Sequence, residues 1–121
     1  MTMTPPVPAC KRGDVALIIF PHSDLRTAKL RPALIIDADG LNTGLPQRIV
    51  AMITSRLFRA NHPSRVVIYQ ESLTGQQSGL LTDSVVMSDN LATVSAAAIS
   101  RVIGSLPMSN IDAALRHTLN L

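Results

Sequence analysis

The chain has 121 residues, 46% of them hydrophobic and only 16% charged, a balance that excludes disorder and suits one domain with its own core. Cys10 is the only cysteine, which excludes an internal disulfide or a cysteine-held metal, and it reads as a bystander. The formal charge of +3 divides into +5 over residues 1–65 and −2 over residues 66–121, which fits an anionic partner, an acidic protein or ordinary solubilising charge on the first half.

Residues 1–10, with three prolines and no secretion-signal core, are expected to form a flexible lead. No run is long enough to cross a membrane, so a cytoplasmic protein is expected. Five short apolar runs rich in Val and Ile then read as strands: 14–20, 32–37, 48–54, 65–69 and 83–87, with 99–106 as a sixth. Pro32 is expected at the first position of its strand, where a missing N–H costs least. The stretches "DADGLNTG" and "TGQQSG" read as turns, and "SAAA" as a helical turn or a bridge.

After Pro107 the pattern changes. Ser109 and Asp112 stand at capping-box spacing, and Ile111, Ala114, Leu115 and Leu119 make an apolar stripe at helical steps. The predicted fold is mainly β with a C-terminal helix, a small barrel or strongly curved sheet over 11–121. Strand–helix alternation is missing, which excludes a doubly wound sheet.

Common cofactor signatures are absent, and His22, His62 and His117 lack metal-ligand spacing, so no metal or cofactor is expected. Aromatics are too few for an RNA-stacking platform. The informative cluster is Arg26, Lys29 and Arg31 before the second strand, with Thr54, Ser55 and Arg56 ending the third. If those strands pair, Arg31 approaches Thr54. Its planar fork can hold two phosphate oxygens while the hydroxyl donates to a third. A structural salt bridge at Arg31 and a ladder end at Thr54 account for the same spacing. A second polar cluster, Asp83, Ser84, Asp89 and Asn90, supports either an orienting role or turn formation.

The ordered series "KRGDVALIIFP", "LRPALII", "IVAMITS", "DSVVMSDNLATV", "RVIGSLP" and "IDAALRHTLNL" resembles the PemK/MazF family of toxin–antitoxin ribonucleases across residues 11–121. The resemblance implies a homodimer of SH3-like barrels that cuts single-stranded RNA without metal or cofactor and is inhibited by a cognate antitoxin. It implies that Arg31 and Thr54 are catalytic, that Asp89 and His22 orient or catalyse, and that Arg26, Lys29, Ser55, Arg56 and Arg59 bind RNA. The implied reaction is attack of a ribose 2′-hydroxyl on the adjacent phosphorus. This chain departs from relatives that carry Arg at the positions of Met87 and Ala92. A noncatalytic toxin that binds a protein such as DNA gyrase, or a nucleic-acid-binding module, are the alternative readings.

Overall fold

A computed structural model describes residues 9–21 and 26–121. Six strands and two helices are present among them: β1 (Asp14–Pro21), β2 (Ala28–Ile35), β3 (Gln47–Thr54), β4 (Arg65–Ile68), α1 (Leu73–Ser78), β5 (Ser84–Ser95), β6 (Ile99–Ser105) and α2 (Ser109–Leu119). Tight 3₁₀ turns occupy Leu57–Arg59 and Ala96–Ala98. The strands form one antiparallel sheet in the order β4-β5-β3-β2-β1-β6. None of the helices described is long and apolar enough to cross a membrane.

The mainly β architecture with a terminal helix matches the sequence reading, but the SH3-like barrel does not. The sheet is open, with β4 and β6 as its two edges and no ladder joining them. The physical reason lies in α1, which "TGQQSG" did not announce. This short helix ends at Gly79, in the left-handed conformation at φ 72°, and backs directly onto β6. A Cβ at Gly79 would run into the Ile103 carbonyl, and one at Gly104 into the Gln77 and Ser78 backbone. The side of β6 available for closure is therefore covered by a helix.

Both faces of the sheet are packed, which explains why β1 reads as an unbroken apolar run rather than an alternating one. Val15 joins Leu34, Ala51, Val86, Ile111 and Leu115 in the cluster beneath α2. Ala16 and Ile18, on the opposite pleat, join Ala33, Ile35, Val50, Val94 and Ile99. Ile111, Ala114 and Leu115 of the expected helical stripe are buried, but Leu119, the last residue of α2, is 51% exposed.

The expected capping box is also absent. The N-cap is Met108, no side chain caps it, and the Asp112 carboxylate instead accepts from Arg12 at 2.6 Å. Asp112 still lies in the first turn, where the helix dipole favours a negative charge. Arg12 also donates to the Ile36 carbonyl at 2.9 Å, so it ties the opening turn to the residue after β2 and to α2.

A second guanidinium, Arg48, bonds to Asp37 at 2.8 Å, Asp39 at 3.1 Å and the Cys10 carbonyl at 2.8 Å. Burial pulls Arg48 down, but Asp37 and Asp39 outweigh it and hold it above the ordinary arginine value. Burial likewise pushes the Cys10 thiol up, against Arg48, consistent with an unreactive cysteine. Arg48→Met keeps the stem but strands the Asp37 carboxylate, whose side chain is only 5% exposed. We expect a loss of roughly 3 kcal/mol, read as a lower urea midpoint with an unchanged slope.

Candidate active site

Two strands that pair briefly and then part create the main cavity. The β2–β3 ladder covers only Ala33 to Ile35, ending at Ala33↔Met52. The next residue on β2 is Pro32, which has no N–H to continue a ladder. Contrary to expectation, Pro32 is interior to β2, because β1 alone holds the strand from Ala28 to Pro32. β3 meanwhile stays paired to β5 as far as Thr54↔Val85. A cavity of about 550 Å³ opens in this fork.

Arg31 and Thr54 both line it, one from each prong. Each stands two residues beyond the last pair of the β2–β3 ladder, Ala33↔Met52. Arg31 is exposed and Thr54 half-buried. The backbone N–H of Arg56 donates to Thr54 Oγ1 at 3.2 Å. With a lone pair occupied in this way, the hydroxyl hydrogen is free to be donated to a ligand.

Among the described residues, Lys29, Arg56 and Arg101 complete a lining with four cations and no carboxylate; Ser55, Thr82 and Ser84 add hydroxyls. The ion pairs among the described residues lie elsewhere, at Arg12, Arg48 and Arg65. Four cations with no ion pair among the described residues, gathered in one concave site, focus positive potential on whatever enters it, which suits a phosphodiester. Thr82 and Ser84 are locked to each other through a 2.9 Å bond from the Ser84 hydroxyl to the Thr82 carbonyl.

Not every residue expected at the site is there. Asp89 and Arg59 line a different cavity, with Phe58, Arg65, Met87 and Asn90. Asp89 accepts two bonds from Arg65, at 2.8 and 3.3 Å, and these hold its carboxyl below the ordinary range. Arg59 lies over the exposed Phe58 ring, 5.8 Å from its centroid, and its guanidinium meets the Met87 sulfur at 3.8 Å. Asp83 accepts from the Gln70 amide at 2.8 Å and braces the turn after β4, away from the fork cavity. Arg26 is exposed and does not line the fork cavity, and His22 lies outside the described residues.

Arg101 was missed by the sequence reading. It stands alone in "ISRVIGSL", and only the β1–β6 pairing Leu17↔Arg101 carries it to the site. The only charged residue in that strand was the available signal.

Comparison with known proteins agrees with this architecture. The model of the PemK-like, MazF-like toxin family of type II toxin–antitoxin systems matches residues 11–119. Endoribonuclease EndoA of Bacillus subtilis (strain 168) is 30% identical over 115 residues, covering 92% of this chain and 95% of that protein. Among solved structures, a mycobacterial endoribonuclease in complex with its cognate antitoxin superposes with a TM-score of 0.70 at 22% identity, covering 93% of this chain and 97% of that one. Mycobacterium tuberculosis toxin MazF-mt6 gives 0.67 at 24% identity, with 89% and 97% covered. A MazE–MazF structure from Deinococcus radiodurans gives 0.68 at 14% identity, with 92% and 93% covered. At these identities the solved structures speak to the fold, whereas the family match spans nearly the whole sequence: the chain belongs to the PemK-like, MazF-like toxins of type II toxin–antitoxin systems.

Proposed function

We propose that this chain cleaves single-stranded RNA in the fork between β2 and β3, with Arg31 and Thr54 acting on one scissile phosphate. Family membership makes the protein a sequence-specific, metal-independent RNA-cleaving toxin. The observation that supports the assignment of the site is the shared cavity, lined by Arg31 and Thr54 and by cations that have no ion pair among the described residues.

In the reaction, the ribose 2′-oxygen forms a bond to the adjacent phosphorus as the bond to the downstream 5′-oxygen breaks. The 2′-hydroxyl proton is lost and the 5′-oxygen gains one, leaving a 2′,3′-cyclic phosphate and a 5′-hydroxyl. Charge accumulates on the non-bridging oxygens at the pentacovalent stage. Arg31 meets two of them with its fork, and Thr54 Oγ1 donates to the phosphate to hold it in line. Lys29 and Arg56 hold flanking phosphates, and Ser55 adds a hydroxyl donor beside Arg56. A guanidinium that stays protonated supplies charge rather than a base.

The partners follow the family. We infer a homodimer and a cognate antitoxin that inhibits by covering this cationic cavity. Two structurally similar proteins, the mycobacterial endoribonuclease and the Deinococcus MazF, were solved with antitoxins.

The test is incubation of the purified protein with mixed-sequence RNA in excess chelator, followed by end-group analysis. Discrete fragments with cyclic-phosphate and 5′-hydroxyl ends are expected. Fragments with 5′-phosphate ends, or cuts that need an added divalent ion, contradict the proposed chemistry.

A further inference from the structure

We infer that the cavity around Asp89 seats the base next to the scissile phosphate, and that Asp89 and Asn90 select guanine there. This inference rests on the reading of Arg31 and Thr54 as the cleavage site. Directly paired residues point to the same side of a sheet, so Ala33, Met52, Met87 and Arg65 form one row across β2, β3, β5 and β4. Arg31 and Thr54 stand two residues along from Ala33 and Met52, on that same side. Thr54 pairs with Val85, which makes Met87 its diagonal neighbour, roughly 7–8 Å away. The chain joins the two places as well: Ser55 and Arg56 line the fork, and the turn Leu57–Arg59 then delivers Phe58 and Arg59 to the second cavity.

That cavity, of about 490 Å³, offers both kinds of surface that a base needs. The Phe58 ring is 79% exposed, and the Arg59 guanidinium, with no ion pair among the described residues, adds a second planar group. Unstacked bases settle on such rings and guanidinium planes. The polar edge is fixed in advance. Arg65 donates to both Asp89 oxygens and, through its remaining nitrogen, to the Arg59 carbonyl at 3.0 Å, so one side chain holds the carboxylate and the turn that carries Phe58. A carboxylate has about four acceptor sites and Arg65 takes two, which leaves room for donors from a ligand. Guanine alone among the bases presents two adjacent N–H donors, at N1 and N2, and its O6 can accept from the Asn90 amide. Adenine, cytosine and uracil set an acceptor beside their donor, and a carboxylate repels it. Tying β4 to β5 is the other role open to the Arg65–Asp89 pair, and base preference separates the two.

The test reads where a mixed-sequence RNA pool is cut, by sequencing fragment ends for the wild type, Asp89→Asn and Phe58→Ala, each shown to be folded. A guanine at one fixed position beside the cut is expected in the wild type, favoured about tenfold or more. Inosine there, which lacks the N2 amino group, should slow cutting by a similar factor. Asp89→Asn should lose most of that preference while still cutting, and Phe58→Ala should slow cutting about tenfold at the same sites. Cut sites without that guanine, or an Asp89→Asn variant that slows every site equally, overturn this inference and leave the active site standing. For a protein that cuts nothing, the probe is a pair of labelled 2′-O-methyl oligouridylates, one carrying a single guanine and the other a single inosine, read by fluorescence anisotropy. Asp89-dependent preference for guanine then upholds the base seat and removes only the cleavage reading. Equal binding removes both.

Discussion

Arg31→Ala should lower kcat for RNA cleavage about a hundred- to a thousandfold, the loss typical of removing one preorganised donor from a developing oxyanion. The fold should survive. Arg31 is exposed, and the strand around it is held by its ladder to β1, which runs through Ile18↔Arg31. A circular-dichroism melt alongside single-turnover kinetics separates the two effects. Arg31→Lys should recover only part of the rate, since an ammonium cannot engage two phosphate oxygens as a planar fork does. Retention of wild-type kcat in Arg31→Ala would remove Arg31 from the chemistry.

The second large effect is structural and falls on Gly104. Alanine there would drive its Cβ into the Gln77 and Ser78 backbone, which cannot yield as a side-chain tip could. Either α1 lifts from β6 or the strand bends. We expect a destabilisation of roughly 3–5 kcal/mol, at the top of the range for single substitutions. Because Gly79, Leu80 and Leu81, just after α1, form one wall of the fork cavity, cleavage should weaken even where the protein still folds. Urea denaturation within a few tenths of a kcal/mol of the wild type would show that the helix does not press on the strand as described.

The parts of this structure that could be read from sequence are those with local physical causes. Val and Ile runs announced β1, β3, β4 and β6, and Ile111, Ala114 and Leu115 announced α2. That Arg31 and Thr54 line one cavity needed only one correct guess, that β2 pairs with β3. Closure of the barrel depended instead on whether β4 or a helix lies against β6. That is decided by Gly79 and Gly104, 25 residues apart in sequence, whose missing side chains let two backbones touch. β5 was read too short for a related reason. Ser88, Asp89 and Asn90 look like a turn, yet they form a bulge between Met52↔Met87 and Ala51↔Leu91, after which the strand continues to Ser95. The Ser88 amide is satisfied by the Ser64 carbonyl at 2.9 Å, a partner that spacing alone does not reveal. Asp112 suited a cap by position, but the carboxylate faces Arg12, a hundred residues away. Arg101 belonged to the same class of long-range effects.

The central claim is that the guanidinium of Arg31 and the hydroxyl of Thr54 serve one phosphate, and a double-mutant cycle on kcat tests it most directly. Rates of RNA cleavage would be measured for the wild type, Arg31→Ala, Thr54→Ala and the double variant, each verified as folded. Groups that act as a unit are strongly non-additive, so the double variant should be scarcely slower than Arg31→Ala alone. If the two losses instead multiply in full, the residues work independently and the shared-phosphate account is wrong.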